Sequence, residues 1–226
     1  MRFLPAKVMT DTKVSGIYFL SQEWRGVITV TEDVTFVPPA RLIVTPGTRV
    51  LFEKKSEVTD TVSSKNANGT IQEGEDPTDS KEYDQAHFHI KGTIIAQGTK
   101  NLPIIFTPKT SEPGYADWDQ LILKKNSVIE YAEVGYAHNG ITIQGKNVVI
   151  KNSIVHHSLW SCINVNTNGA IIENNEIFAC WHQAIRVETG NVSVIRKNII
   201  HDAMMSVRCL AAKPTIEENT FTNAPI

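Results

Sequence analysis

The chain has 226 residues, 41% of them hydrophobic and 20% charged, and its 22 basic and 24 acidic side chains leave a net charge of −2. That balance excludes a polybasic nucleic-acid or membrane-surface binder, whose affinity needs a basic excess on one face. The apolar share excludes wholesale disorder, and no stretch approaches the roughly 18 apolar residues of a bilayer span. No nucleic-acid partner and no membrane insertion are therefore expected.

The opening Met1-Arg-Phe-Leu-Pro-Ala-Lys7 carries one early basic residue and no apolar core, so no signal peptide is read there, and residues 1–23 are expected as an N-terminal segment or cap. Residues 54–86 contain eight acids and four bases, a net of −4, with few apolar side chains. Such a segment buries little surface and reads as a long acidic loop leaving one coil, with a lid or a partner-binding arm as alternatives. His87-Phe-His89 follows, and strand alternation turns both imidazoles to one side with Asp84 nearby. Two histidines at i and i+2 share a transition metal only if a third ligand arrives, so His87, His89 and Asp84 are weak metal candidates and no cofactor is expected. Gly98 and the loop Lys109–Asp117 read as ordinary turns.

From residue 125 a phrase recurs: Ile129-Glu-Tyr-Ala-Glu-Val134, Ile150-Lys-Asn-Ser-Ile-Val155, Ile172-Glu-Asn-Asn-Glu-Ile177, Ile195-Arg-Lys-Asn-Ile-Ile200 and Ile216-Glu-Glu-Asn-Thr-Phe221. The leading isoleucines are 21, 22, 23 and 21 residues apart, and Ser153, Asn175, Asn198 and Asn219 hold one place in the phrase. Half a period later comes a second phrase: Ile141-Thr-Ile143, Ile163-Asn-Val165, Ile185-Arg-Val187 and Val207-Arg-Cys209. Alternating apolar and polar residues mark short strands with one buried face. Short strands at this period cannot bury a face singly; stacking successive copies buries them together. The expected fold is all-β, a single right-handed parallel β-helix domain over residues 1–226, with regular asparagine-bearing coils of about 22 residues over 125–226. The asparagines fit a turn position where their amides bond along the stack and tolerate left-handed backbone.

On these residues the chain resembles the right-handed parallel β-helix, pectate-lyase-like superfamily. The stretch Val27–Glu53, with its Pro46-Gly47 turn between apolar runs, resembles the opening coils of surface β-helix proteins, and Phe88–Thr99, Pro103–Pro108 and Trp118–Leu123 continue that pattern. The resemblance implies fold more than activity, since the scaffold carries lyases, hydrolases, epimerases, adhesins and binding proteins.

Aligning the coils stacks outward residues in columns about 4.8 Å apart. Thr142, Asn164, Arg186 and Arg208 form one column; Gln144, Asn166, Glu188 and Leu210 form the next. Arg186 and Arg208 are then either an anion clamp or an ion-pair cluster with Glu188. His156, Phe178 and His201 share another column, with His157 and Asp202 in the one beside it; His182, His138, Trp160 and Trp181 flank the same turns. Aromatic rings beside hydrogen-bonding groups suit sugar faces, so Arg186, Arg208, Glu188, Trp160, Trp181, His156, His157, His182, His201 and Asp202 are the ligand-binding candidates.

Catalysis is the alternative. The enzymes that the chain resembles use clustered carboxylates, whereas Asp202 is the only aspartate from residue 120 onward, and the Asp-Pro-His-Asp phrase of the uronate epimerases is missing. What survives is a metal-free lyase or epimerase with His157 or His201 as base, Arg208 neutralising a carboxylate, and Glu188 at hand. Cys162, Cys180 and Cys209 show no zinc spacing and read as buried thiols, which suit a reducing compartment, while the resemblance points to the cell surface. The chain ends on a strand with no covering helix, so an end-to-end homo-oligomer or a missing cap is expected. The leading reading is a binding protein for a saccharide or other extended polar ligand; an assembly module without a small ligand is the third reading.

Overall fold

A computed structural model describes residues 5–53, 88–188 and 192–223. The expected acidic loop at 54–86, with Asp84, and His87 beside it lie outside these residues. The described strands, 21 in number, join one sheet by parallel pairings with strands a coil away, and the sheet winds around an axis as a right-handed parallel β-helix.

Each regular coil has three faces. The first is built from Leu121–Leu123, Asn139–Ile143, Ser161–Val165, Gln183–Val187 and Met205–Cys209. The second stacks Val128–Glu130, Val149–Lys151, Ile171–Glu173, Val194–Arg196 and Thr215–Glu217. The third stacks Ala132–Gly135, Ile154–His156, Glu176–Phe178, Ile199–His201 and Thr220–Thr222. The register is the one that the repeat predicts: Ile129, Ile150, Ile172, Ile195 and Ile216 pair in turn. The first four of these isoleucines are fully buried, whereas Ile216 and Phe221 on the last described coil are 43% and 45% exposed.

Lys7–Tyr18 pairs in parallel with Gln22–Phe36 as an ordinary first coil, and the long strands bend around corners at register shifts. Large aromatics fill the wider N-terminal core: Trp24 packs edge-on to Phe36, and Trp118 stacks on Phe52 with centroids 3.9 Å apart.

The bend between the second and third faces is one residue deep. Tyr131, Asn152, Asn174, Lys197 and Glu218 take φ values between 46° and 56°, a left-handed kink in an otherwise extended chain. The expectation that the stacked asparagines themselves take this conformation is corrected: the residue just before each one does. Four non-glycine types there would each cost about 1 kcal/mol or more in isolation, and the neighbouring ladder offsets that cost. Asn175 Oδ1 accepts from the Ser153 amide, Asn198 Oδ1 from the Asn175 amide and Asn219 Oδ1 from the Asn198 amide. The Nδ2 groups of Asn175, Asn198 and Asn219 donate back to the carbonyls of Ile150, Ile172 and Ile195. Buried backbone that the kink strips of strand partners is thus satisfied.

The expectation of three buried thiols fails: two of the residues are buried but bonded, and the third is a thiol but exposed. Cys162 and Cys180 form a disulfide with Cα atoms 5.7 Å apart, inside the core, and Cys209 is free and exposed. Two small apolar side chains one coil apart at a corner come within bonding range, which residue spacing alone does not reveal. The inference from free thiols to a reducing compartment falls with it.

Candidate functional site

The predicted site residues divide between the first face and the corner where the third face turns into it. On the first face Asn164, Arg186 and Arg208 pair in turn after Thr142. Arg186 Nε lies 2.8 Å from Glu188 Oε1, an ion pair without the direction of a hydrogen bond, so the salt-bridge arrangement holds for this arginine. At the start of the same face Trp160 and His182 stack with centroids 4.4 Å apart and planes within 8°, the spacing that adjacent coils impose.

The corner holds the denser cluster. His156, Phe178 and His201 occupy one column and form a continuous ring stack, with centroids 5.2 and 4.9 Å apart and planes within 10° and 2°. Gly135 heads that column because a Cβ there would meet the His156 ring at 2.4 Å. His157 and Asp202 sit in the next column with φ near 50°, each turning the chain onto the first face. Trp181 stands beyond them, 43% exposed. The loop Lys109–Asp117 is not an ordinary turn. Asp117 accepts from the Gly114 amide and binds back to the Tyr136 carbonyl through its own, which brings Tyr115 over the corner. The Tyr115 ring lies 5.5 Å from His157 and 6.3 Å from Trp181. Tyr115, Trp181, Asp202, Met204 and Asn223 line a depression of about 340 Å³ floored by Ala179 and Ala203.

The histidines are held by carboxylates, of which Asp202 is a predicted site residue and Glu133 and Glu176 are not. Buried His156 reaches Glu133 through Nε2 at 3.3 Å, and its Nδ1 lies 2.7 Å from His157 Nδ1, within hydrogen-bond distance. Burial and the neighbouring His156 push His157 below the usual imidazole range, and the hydrogen bond from His156 holds Glu133 below that of an ordinary carboxylate. His201 contacts Asp202 at 2.7 Å and Glu176 at 3.3 Å, and the Asp202 hydrogen bond raises it above the usual range. A raised folded-state pKa stabilises the fold fully below the ordinary value of 6.5, and that contribution is lost as pH rises through the folded value. The expected result of an NMR titration is that His157 loses its proton at lower pH than His201, with Asp202→Asn bringing His201 down and leaving His157 in place. A coincident titration of the two rings would contradict these contacts.

Glu133 and Glu176 share an outward column with Ile154 between them, so extending the coil alignment to the third face would have found them. Tyr115 comes from a non-repeating loop and carries no such signal. The lyase alternative pairs His157 or His201 with Arg208. In the fold Arg208 lies about 13 Å along the first face from the corner residue Met204, at the usual rise of a strand. Of the metal candidates, His89 contacts Asp33 at 3.1 Å, while His87 and Asp84 lie outside the described residues; no cluster of three ligating side chains occurs among those described.

The family described as Right handed beta helix region matches residues 119–226, the coils that carry this corner apart from Tyr115 and its loop. Neither curated proteins nor solved structures match the chain. The matched coils and the parallel register continued on their N-terminal side give the chain the right-handed parallel β-helix fold.

Proposed function

We propose that the protein binds a saccharide, or a similarly extended polar ligand with apolar faces, at the corner between the third and first faces. The observation that carries this is Trp181, a large aromatic left 43% exposed beside a depression and steadied by an edge contact from Tyr115, itself 40% exposed. An indole so placed offers an apolar platform, and Asp202 and Asn223 on the rim of the same depression supply hydrogen-bonding groups. The stacked Trp160–His182 pair lies immediately alongside on the first face, which extends the platform along the axis, the direction in which an extended ligand would run.

The test is retention on a panel of immobilised polysaccharides, followed by titration with the best oligosaccharide. Trp181→Ala is expected to weaken binding about tenfold, with Tyr115→Ala smaller, since losing a stacked aromatic contact costs roughly 1 kcal/mol beyond its area. Retention that ignores both substitutions would sink the proposal. Release of an unsaturated product that vanishes in Arg208→Ala would replace binding with a lyase reaction.

A further inference from the structure

A second depression lies away from the corner, where the first face turns into the second. It has a volume of about 340 Å³, and its wall is Phe36, Val37 and Pro38. Three lysines surround it: Lys91, Lys124 and Lys125. Among the described residues no carboxylate lines it and none of the three lysines makes an ion pair.

Sequence and register explain why three like charges converge. Lys91 pairs with Ile122, so Lys124 stands one coil away and two residues further along the same face. Coil spacing and strand rise put their Cα atoms about 8 Å apart. Two glycines tighten this corner. A Cβ on Gly145 would fall 1.9 Å from the Lys125 amide nitrogen, so only glycine lets the next coil press against the backbone from which both lysines emerge. Gly92, at φ 153°, leaves room for Phe36, whose Cβ a side chain there would meet at 2.7 Å. Lys124 Nζ donates to Gln144 Oε1 at 2.6 Å, which occupies the carboxamide oxygen and leaves its NH₂ as a donor. Burial and the charge of Lys91 hold the Lys124 ammonium below its ordinary range.

We propose that this depression is a binding site for a phosphate or sulfate group carried on an apolar ring or short chain. Ammonium groups and an amide donor face the ligand with no carboxylate among the described lining residues, so an oxyanion is preferred over a cation or a neutral hydroxyl compound. The Phe36, Val37 and Pro38 wall takes the apolar part, and the volume is at the small end of ligand sites. This site is separate from the aromatic corner and does not depend on what binds there.

The experiment is calorimetric titration of the full chain with phenyl phosphate, phenyl sulfate and inorganic phosphate at constant chloride. Saturable one-to-one binding of at least one phenyl ester is expected, tighter than inorganic phosphate, and the tighter ester names the group. Lys91→Gln and Lys124→Gln should each weaken it about tenfold, the usual size for a charged hydrogen bond. Lys91→Arg should keep binding, and Lys213→Gln, on an exposed lysine elsewhere, should leave it unchanged. Unsaturable binding, inorganic phosphate binding as tightly as the esters, or affinity left unchanged by both Lys91→Gln and Lys124→Gln would overturn the proposal.

Discussion

Asn198→Ala is expected to destabilise the protein by about 4 kcal/mol. Its side chain is buried and makes four hydrogen bonds. Nδ2 donates to the Ile172 carbonyl and to Asn219 Oδ1, and Oδ1 accepts from both the amide and the Nδ2 of Asn175. Truncation strips the Asn175 amide and the Ile172 carbonyl of these partners in a site closed to water, at roughly 1–3 kcal/mol each. It also opens a cavity beside a left-handed residue, Lys197, whose conformation the ladder helps to hold. Ser153→Ala should cost only about 1–2 kcal/mol, because the hydroxyl of Ser153 satisfies one amide, that of Ala132, and donates to one carbonyl. Urea unfolding of the two variants gives the comparison, read from the midpoint shift with the slope unchanged. Equal, small shifts would mean that the ladder follows the fold instead of holding it.

The ladder also explains why so much of the fold was legible. Each coil repeats one buried isoleucine at one phase, so counting residues reproduces the pairing of Ile150 with Ile172 and of Arg186 with Arg208. The kink before each asparagine was not legible, because Tyr131, Lys197 and Glu218 are not residues that advertise a left-handed backbone. Period counting also stops where coils differ in length. Tyr115 reaches the corner from a loop that occurs once, and the lysine cluster draws Lys91 and Lys124 from coils joined by an irregular stretch. The candidate site is therefore half visible in the sequence: the repeats reveal the rings and Asp202, and they do not reveal Tyr115, Glu133 or Glu176. Arg186 and Arg208 were correctly aligned but lie along a face, away from the depression that Trp181 borders.

The disulfide carries the second large expectation. Cys162 lies on the first face and Cys180 at the next coil's corner, immediately before Trp181, so the bond ties the aromatic platform to the strand beneath it. It closes a loop across a sequence separation of 18, and constraining such a loop in the unfolded chain stabilises the fold by about 3 kcal/mol. The double variant Cys162→Ala/Cys180→Ala should lose about that much in urea unfolding, and reductant should bring the unmodified protein down by a similar amount. Cys209→Ser, at the exposed free thiol, should stay within about 0.5 kcal/mol. Loss of the tether should also loosen the corner more than the core, so quenching of Trp181 fluorescence should rise while buried Trp24 and Trp118 stay protected. Titration of three free thiols in the native, unreduced protein would remove the bond and this expectation together. If the bond is present but ligand binding at Trp181 survives its reduction, the platform is held by Tyr115 and its ring neighbours alone.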